Sequence, residues 1–195
     1  MGITIWDPNT GQRPLVGQMG QGGGFFGLSG NINQQISSAG ISPGATAADN
    51  VLFAFAIPAN SFDIAGRQIT ITAFGSFVNN VNAKRCKIIF NPASAVVGST
   101  VGASGTTIAD TGSFSTAANV GWQLVGQVTK YGLTGSNTQI GSQLEAQAGA
   151  SVATLGVPSL ITATESGLIL VAVTGNAATT ASDILGNGLT VSAND

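Results

Sequence analysis

The stretch VLFAFAIPANSFDIAGRQITITAFGSFVNNVNAKRCKIIF, residues 51 to 90, decides the fold. Its first part, Val51 to Ile57, is apolar and stops at Pro58-Ala59-Asn60. After Gly66 a second run begins, in which Ile69, Ile71 and Ala73 alternate with Thr70, Thr72 and Phe74. The polar turn Asn79-Asn80-Val81-Asn82 leads into a third, where Arg85 and Lys87 alternate with Cys86, Ile88 and Phe90. Successive side chains of a strand point to opposite faces, so alternation broken by Pro, Gly and Asn clusters marks half-buried antiparallel strands. Nothing in the block is arranged for chemistry. It reads as scaffold.

The same reading extends from Ala48 to the end of the chain. After a small-residue loop from Val96 to Asp110, GWQLVGQVTKYG sets Trp122, Leu124 and Val128 on one face. NTQIGSQLEAQAG sets Ile140, Leu144 and Ala146 opposite Gln139, Gln143, Glu145 and Gln147. Leu168 to Thr174 is apolar on both faces, which predicts a central strand covered on both sides. GLTVSA, residues 188 to 193, closes the domain with Leu189 and Val191 inward. The expected core is Phe53, Phe55, Ile57, Ile69, Ile71, Ile88, Phe90, Leu124, Leu170 and Val171. Roughly seven or eight strands with hardly any helix predict an all-β fold, an antiparallel β-sandwich or jelly roll.

Residues 1 to 47 read differently. They are rich in turn-formers, with three consecutive glycines (Gly22 to Gly24) before Phe25 and Phe26. Such a segment loses too much backbone entropy to order alone. Ile3, Ile5, Trp6, Leu15, Phe25, Phe26 and Leu28 are nevertheless too apolar for a freely solvated tail. The expectation is an extended N-terminal arm over residues 1–47, ordered by contact with its own subunit or a neighbour, followed by a β domain over 48–195. Within it, residues 32–42 fit a short helix or a connecting strand equally.

Composition excludes most chemistry. Charged residues make up 7% of the chain, net charge is -2, there is no histidine, and Cys86 is the only cysteine. An ordinary globular protein carries roughly 25% charged residues. Without histidine there is no Ser-His-Asp or Cys-His catalysis, and no His or Cys cluster for zinc. Cys86, in phase with Ile88 and Phe90, is expected to be a buried, inert thiol. Asp49, Asp63, Asp110 and Asp183 lie in or near turns and outside any calcium-loop pattern. Glu145 and Glu165 lack the aromatics of a sugar-gripping cleft, and with Glu145 on a polar strand face the pair is expected to face solvent. GQGGGFFG is followed by no Lys-Ser/Thr, so it is no phosphate loop. No catalytic residue, cofactor or metal is expected. Lys84, Arg85 and Lys87 form the one basic cluster, a solvated strand face or subunit contact rather than a nucleic-acid site in an acidic chain. Met1-Gly2 is followed at position 6 by Trp6, against myristoylation, and the apolar runs are far short of the ~20 residues that span a bilayer. Neither a nucleic-acid nor a membrane partner is expected. A surface this poor in charge favours association, so a homo-oligomer is expected, a trimer ahead of a dimer.

The order of elements carries a resemblance. An apolar strand ends in Ile-Pro-Ala-Asn (57 to 60), and QITITAFGSFVNNVNAKRCKIIF follows. Much later come GLILVAVTG (167 to 175) and the ending ASDILGNGLTVSAND. Over residues 48–195 this resembles the jelly-roll domains that recur in tailed-bacteriophage virion proteins: capsid decoration (cement) proteins, head fibres and some tail-tip subunits. The resemblance implies a non-enzymatic structural protein made in the host cytoplasm and placed on the capsid surface. Its partners would be copies of itself and the major capsid protein of the same virion. Ile3, Ile5, Trp6, Leu15, Phe25 and Phe26 would then anchor the arm to the shell. A receptor-binding tip, with loops such as 94–118 on a host glycan, is the alternative. A jelly-roll capsid protein ranks behind both, because residues 1–48 carry Arg13 as their one cation.

Overall fold

The computed structural model describes residues 30–42, 46–62, 64–153, 155–177 and 182–194. Among them there are twelve strands and no helix. The strands are β1 (Gly30–Ile41), β2 (Thr46–Ile57), β3 (Gln68–Phe77), β4 (Asn80–Phe90), β5 (Thr106–Asp110) and β6 (Phe114–Thr116). They continue as β7 (Val120–Lys130), β8 (Gln139–Ala148), β9 (Ser151–Val152), β10 (Ser159–Ile161), β11 (Ile169–Ala177) and β12 (Ile184–Asn194). One sheet, A, has the order β1-β12-β3-β7-β8-β10, with β9 also on β8; the other, B, has the order β2-β11-β4-β5, with β6 on β4. Every pairing is antiparallel. The first two strands pair with the last two, β1 with β12 and β2 with β11, which rolls the chain into a sandwich of jelly-roll type.

The alternation read from sequence is the alternation that builds the core. Ile69, Ile71 and Ala73 of β3 point inward with Trp122, Leu124 and Val128 of β7, and with Leu189 and Val191 of β12. They meet Phe53, Phe55, Ile57, Ile88, Phe90, Val171 and Val173 from sheet B. Cys86 is buried among them. Side chains also cross between the sheets at one flank, where Ile108 of β5 enters sheet A. A Cβ on Gly126 would lie 2.9 Å from its Cδ1, and one on Gly141 2.6 Å from its Cγ2. Two glycines on neighbouring strands therefore make the socket for one isoleucine.

Two core expectations change. Leu170 is half-buried, because Ile169 and Val171 take the inward positions on either side of it. In β8 the expected face breaks in the middle. The pairing runs Val125 with Glu145 and then Gly126 with Gln143, so Leu144 is an extra residue, a β-bulge that switches parity. Ala146 and Ala148 face the core after the bulge, Gln139 and Gly141 before it, and Leu144 stands exposed. β11 is central in sheet B, as expected, and buried at both Ala172 and Val173. The β4–β5 excursion, residues 91–105, provides cover on the outer side. Gly105 sits against Ile89, and Val51 N–H donates to Ser99 O while Gly98 N–H donates to Val51 O (both 2.9 Å).

Residues 1–29 lie outside the described set, whereas Gly30–Ile41 is an edge strand of sheet A. Ile32 and Ile41 pack against the core, and Gln35 Nε2 donates to Ala54 O of β2 (2.8 Å), tying the two sheets together. Of the two readings left open for residues 32–42, the strand is the one observed.

Candidate interaction site

Three loops meet at one end of the sandwich, held by Lys130, which sequence did not single out, and by Glu165, which was expected to face solvent and is instead buried. Gly30, Ala193, Ile69, Val128, Gly141 and Ser159 form one cross-strand row through sheet A. Just beyond it the chain turns through residues 58–62 and 64–67, 131–138 and 162–168. At their junction Lys130 Nζ donates to Glu165 Oε1 (2.6 Å), with the two side chains 0% and 3% exposed. Lys130 Nζ also donates to Ser136 Oγ (2.8 Å) and Thr138 Oγ1 (3.2 Å). Gln139 Nε2 donates to Glu165 Oε1 (2.5 Å), while Gln139 Oε1 accepts from Ala163 N–H (2.9 Å). Backbone bonds finish the lock: Asn60 N–H donates to Glu165 O (2.7 Å), Gly66 N–H to Lys130 O (2.8 Å), and Glu165 N–H to Asn137 Oδ1 (2.9 Å). A desolvated ion pair survives only when hydrogen bonds compensate its ions; here Lys130 Nζ and Glu165 Oε1 are compensated, while Glu165 Oε2 is buried without a hydrogen-bond partner among the described residues.

These pinned loops display apolar groups. Leu133 is 83% exposed, Leu168 61%, Ile64 53% and Tyr131 52%. The N-terminal segment joins β1 at Gly30, in the same row, so it enters the domain at this pole. Ile3, Ile5, Trp6, Leu15, Phe25 and Phe26, the expected anchoring residues, lie outside the described residues. Their point of attachment does not.

Elsewhere charge is neutralised within the molecule. Lys84, expected on a solvated face with Arg85 and Lys87, is instead buried. Its Nζ donates to Asn80 O (2.9 Å), Asn80 Oδ1 (2.8 Å) and Asn82 O (3.0 Å). Burial lowers the Lys84 ammonium from its ordinary value, and the Asp183 carboxylate opposes that shift. Asp183 in turn accepts from Asn80 Nδ2 (2.5 Å) and Asn82 Nδ2 (2.9 Å). On the outer face of sheet B, Lys87 pairs with Asp49 (2.6 Å) and Arg85 grips Asp110, Nε to Oδ1 at 2.8 Å. Burial acts to raise the Asp110 carboxyl, but hydrogen bonds from Arg85 and from Gly112 N–H outweigh it and hold it below the usual carboxylate range. Glu145 is half-buried and accepts from Gln123 Nε2 (3.3 Å).

A shallow depression of about 490 Å³ beside Val120, Trp122, Gln147 and Gly149 lies at the opposite end, lined without a charged side chain. A groove of about 150 Å³ runs between β5 and β8. Burial pushes the Cys86 thiol well above its ordinary value, which keeps it protonated and unreactive. No cluster of His, Cys, Asp and Glu suited to a metal occurs among the described residues.

The buried polar residues could have been found by parity. Lys84 is in phase with Cys86, Ile88 and Phe90, and Lys130 with Trp122, Leu124 and Val128. A strand lysine in phase with the apolar face is an inward lysine, and it needs an acceptor. No protein-family model matches the chain, and no curated protein or solved structure does either.

Proposed function

We propose that this protein is a non-enzymatic structural component of a tailed-phage virion, a decoration protein that binds the outside of the head as a homo-oligomer and stabilises it. The observation that carries the reading is the loop pole. A buried ion pair fixes three loops that expose Ile64, Tyr131, Leu133 and Leu168, and the apolar N-terminal segment enters at the same end. A rigid apolar patch loses little entropy on docking, and an adjoining segment that orders on contact lengthens the buried path. Several such units in one oligomer bind with an avidity that none has alone. Bridging neighbouring capsid subunits in this way opposes their separation under the pressure of packaged DNA. The receptor-tip alternative gains less support, because residues 98–101 of its contact loop are bonded along the edge of β2.

The test is to add the purified protein to heads that lack it and image them by electron cryomicroscopy. Regular density at fixed positions on the shell is expected, with the pole toward the capsid. Density confined to the tail, or none at all, overturns the reading.

A further inference from the structure

We infer that the start of β4 is a self-modification site, where Lys84 Nζ attacks the Asn80 carboxamide, ammonia leaves, and an isopeptide bond joins the two side chains. Asn80, Asn82 and Lys84 share one face of β4 by parity. Lys84 is 1% exposed, and its Nζ lies 2.8 Å from Asn80 Oδ1, the oxygen on the carbon to be attacked. That oxygen also accepts from Asn82 N–H (3.0 Å), a fixed donor where negative charge develops as the amine adds. The leaving nitrogen, Asn80 Nδ2, donates to Asp183 Oδ1 (2.5 Å). Asp183 is itself buried and held in place, its Oδ2 by Asn82 Nδ2 (2.9 Å) and its backbone O by Val78 N–H (2.9 Å). Donors on Oδ1 and a carboxylate on Nδ2 settle which end of the carboxamide is which.

The step balances without a co-reactant. A lysine ammonium and a carboxamide give a secondary amide and an ammonium ion, with charge unchanged. The Nζ–Cγ bond forms, the Cγ–Nδ2 bond breaks, and the Asp183 carboxylate carries a proton from the attacking nitrogen to the leaving one. Burial lowers the Lys84 ammonium from its ordinary value, which raises the share of free amine. The Asn80 carboxamide turns about a broad torsion, so it can present its face to Nζ without leaving its partners far. With Lys84 and Asp183 buried, the amine rather than water is the nucleophile beside the amide. Lys130, buried as deeply, donates to Glu165, Ser136 and Thr138, none of which can release ammonia. The product replaces a desolvated ammonium, expensive to bury, by a neutral amide that ties off the β3–β4 turn. A block that reads from sequence as scaffold thus carries one single-turnover reaction.

The inference is independent of where the protein is placed, and mass spectrometry of the purified full-length chain tests it. Wild type should be lighter by one ammonia than Lys84→Arg, once the substitution itself is allowed for. Trypsin should fail to cut after Lys84, so residues 68–85 should emerge as one peptide in which no backbone fragment separates 80 from 84. A succinimide at Asn80 or a cyclised Gln68 terminus also loses ammonia, but leaves 80–84 open to fragmentation. For Asp183→Asn, the cross-linked fraction is followed over time after cell-free synthesis, with circular dichroism as the check of fold. Formation should slow on the order of 100-fold, the usual loss when a positioned proton carrier is removed. Wild type at its full sequence mass, or cut by trypsin after Lys84, overturns the inference, and needs no variant to fold. A folded Asp183→Asn protein that cross-links at the wild-type rate overturns it too.

Discussion

Lys130 and Glu165 show how a single pair can define the working end of a β-sandwich. Each is buried, each is hydrogen-bonded by residues from different loops, and neither can leave without stranding the other. Removing one member of such a pair costs about 3–5 kcal/mol, whereas replacing both by apolar groups is close to neutral. Lys130→Met and Glu165→Gln should each lower the urea midpoint accordingly, and a Lys130→Met/Glu165→Leu double variant should recover most of the loss. Additive losses in the double variant would mean that the pair is not the lock. Asp110 makes a different prediction. Its carboxyl is held low by Arg85 and Gly112, so its contribution is complete above about pH 4 and disappears as pH falls through the folded-state value. Asp110→Asn should therefore be less stable than wild type at pH 7, and thermal melts should show the difference shrinking as pH falls below about 4. The inward lysines were legible in principle, since parity places Lys84 and Lys130 among apolar neighbours. Their partners were not, because Glu165 and Asp183 come from loops that sequence pattern does not position.

At the scale of elements, alternation was informative wherever one face meets the core and the other meets water. It located the strands from Val51 to Phe90 and the inward faces of β3, β7 and β12. It misread β8, because a bulge at Leu144 switches parity and nothing in QIGSQLEAQA announces the extra residue. It was silent on β1, whose NINQQISS carries Ile32 and Ile36 among polar residues, too sparse a pattern to tell strand from helix. The pairing of β1 with β12 nevertheless runs from Gly30 to Ile41, and Ile32 and Ile41 reach the core. Two truncations follow from that register. Removal of residues 1–29 should leave the melting temperature within a few degrees of wild type. Removal of residues 1–41 should lower it sharply, because β12 becomes an open edge and two apolar contacts disappear. Equal melting temperatures for the two truncations would show that β1 adds nothing to the domain.

The whole molecule is notable for where its few charges go. Among the described residues, Lys84, Arg85, Lys87 and Lys130 are engaged by carboxylates or carbonyls of the same chain and Arg67 Nη1 donates to Ser61 O (3.3 Å), so apolar and amide groups are left to face partners there. Contacts made by such a surface should depend little on ionic strength, since screening acts on exposed charges. Binding to heads lacking the protein should thus change less than about threefold between 50 mM and 500 mM salt, where a phosphate- or charge-driven contact falls by orders of magnitude. The pole then divides the contact into two parts. Deleting residues 1–29 removes Ile3, Ile5, Trp6, Leu15, Phe25 and Phe26 together, and at ~25 cal/mol per Å² of apolar area these offer several kcal/mol before the ordering cost. A Leu133→Ser/Tyr131→Ser variant instead strips the loops while leaving the buried pair beneath them intact. Co-sedimentation with heads should show each change weakening attachment and the combination abolishing it, with sedimentation of the free proteins unchanged. If the truncated protein binds as well as wild type and the loop variant does not, the pole alone makes the contact. If both bind normally, the capsid-facing surface lies elsewhere on the sandwich and the assignment of the pole is wrong.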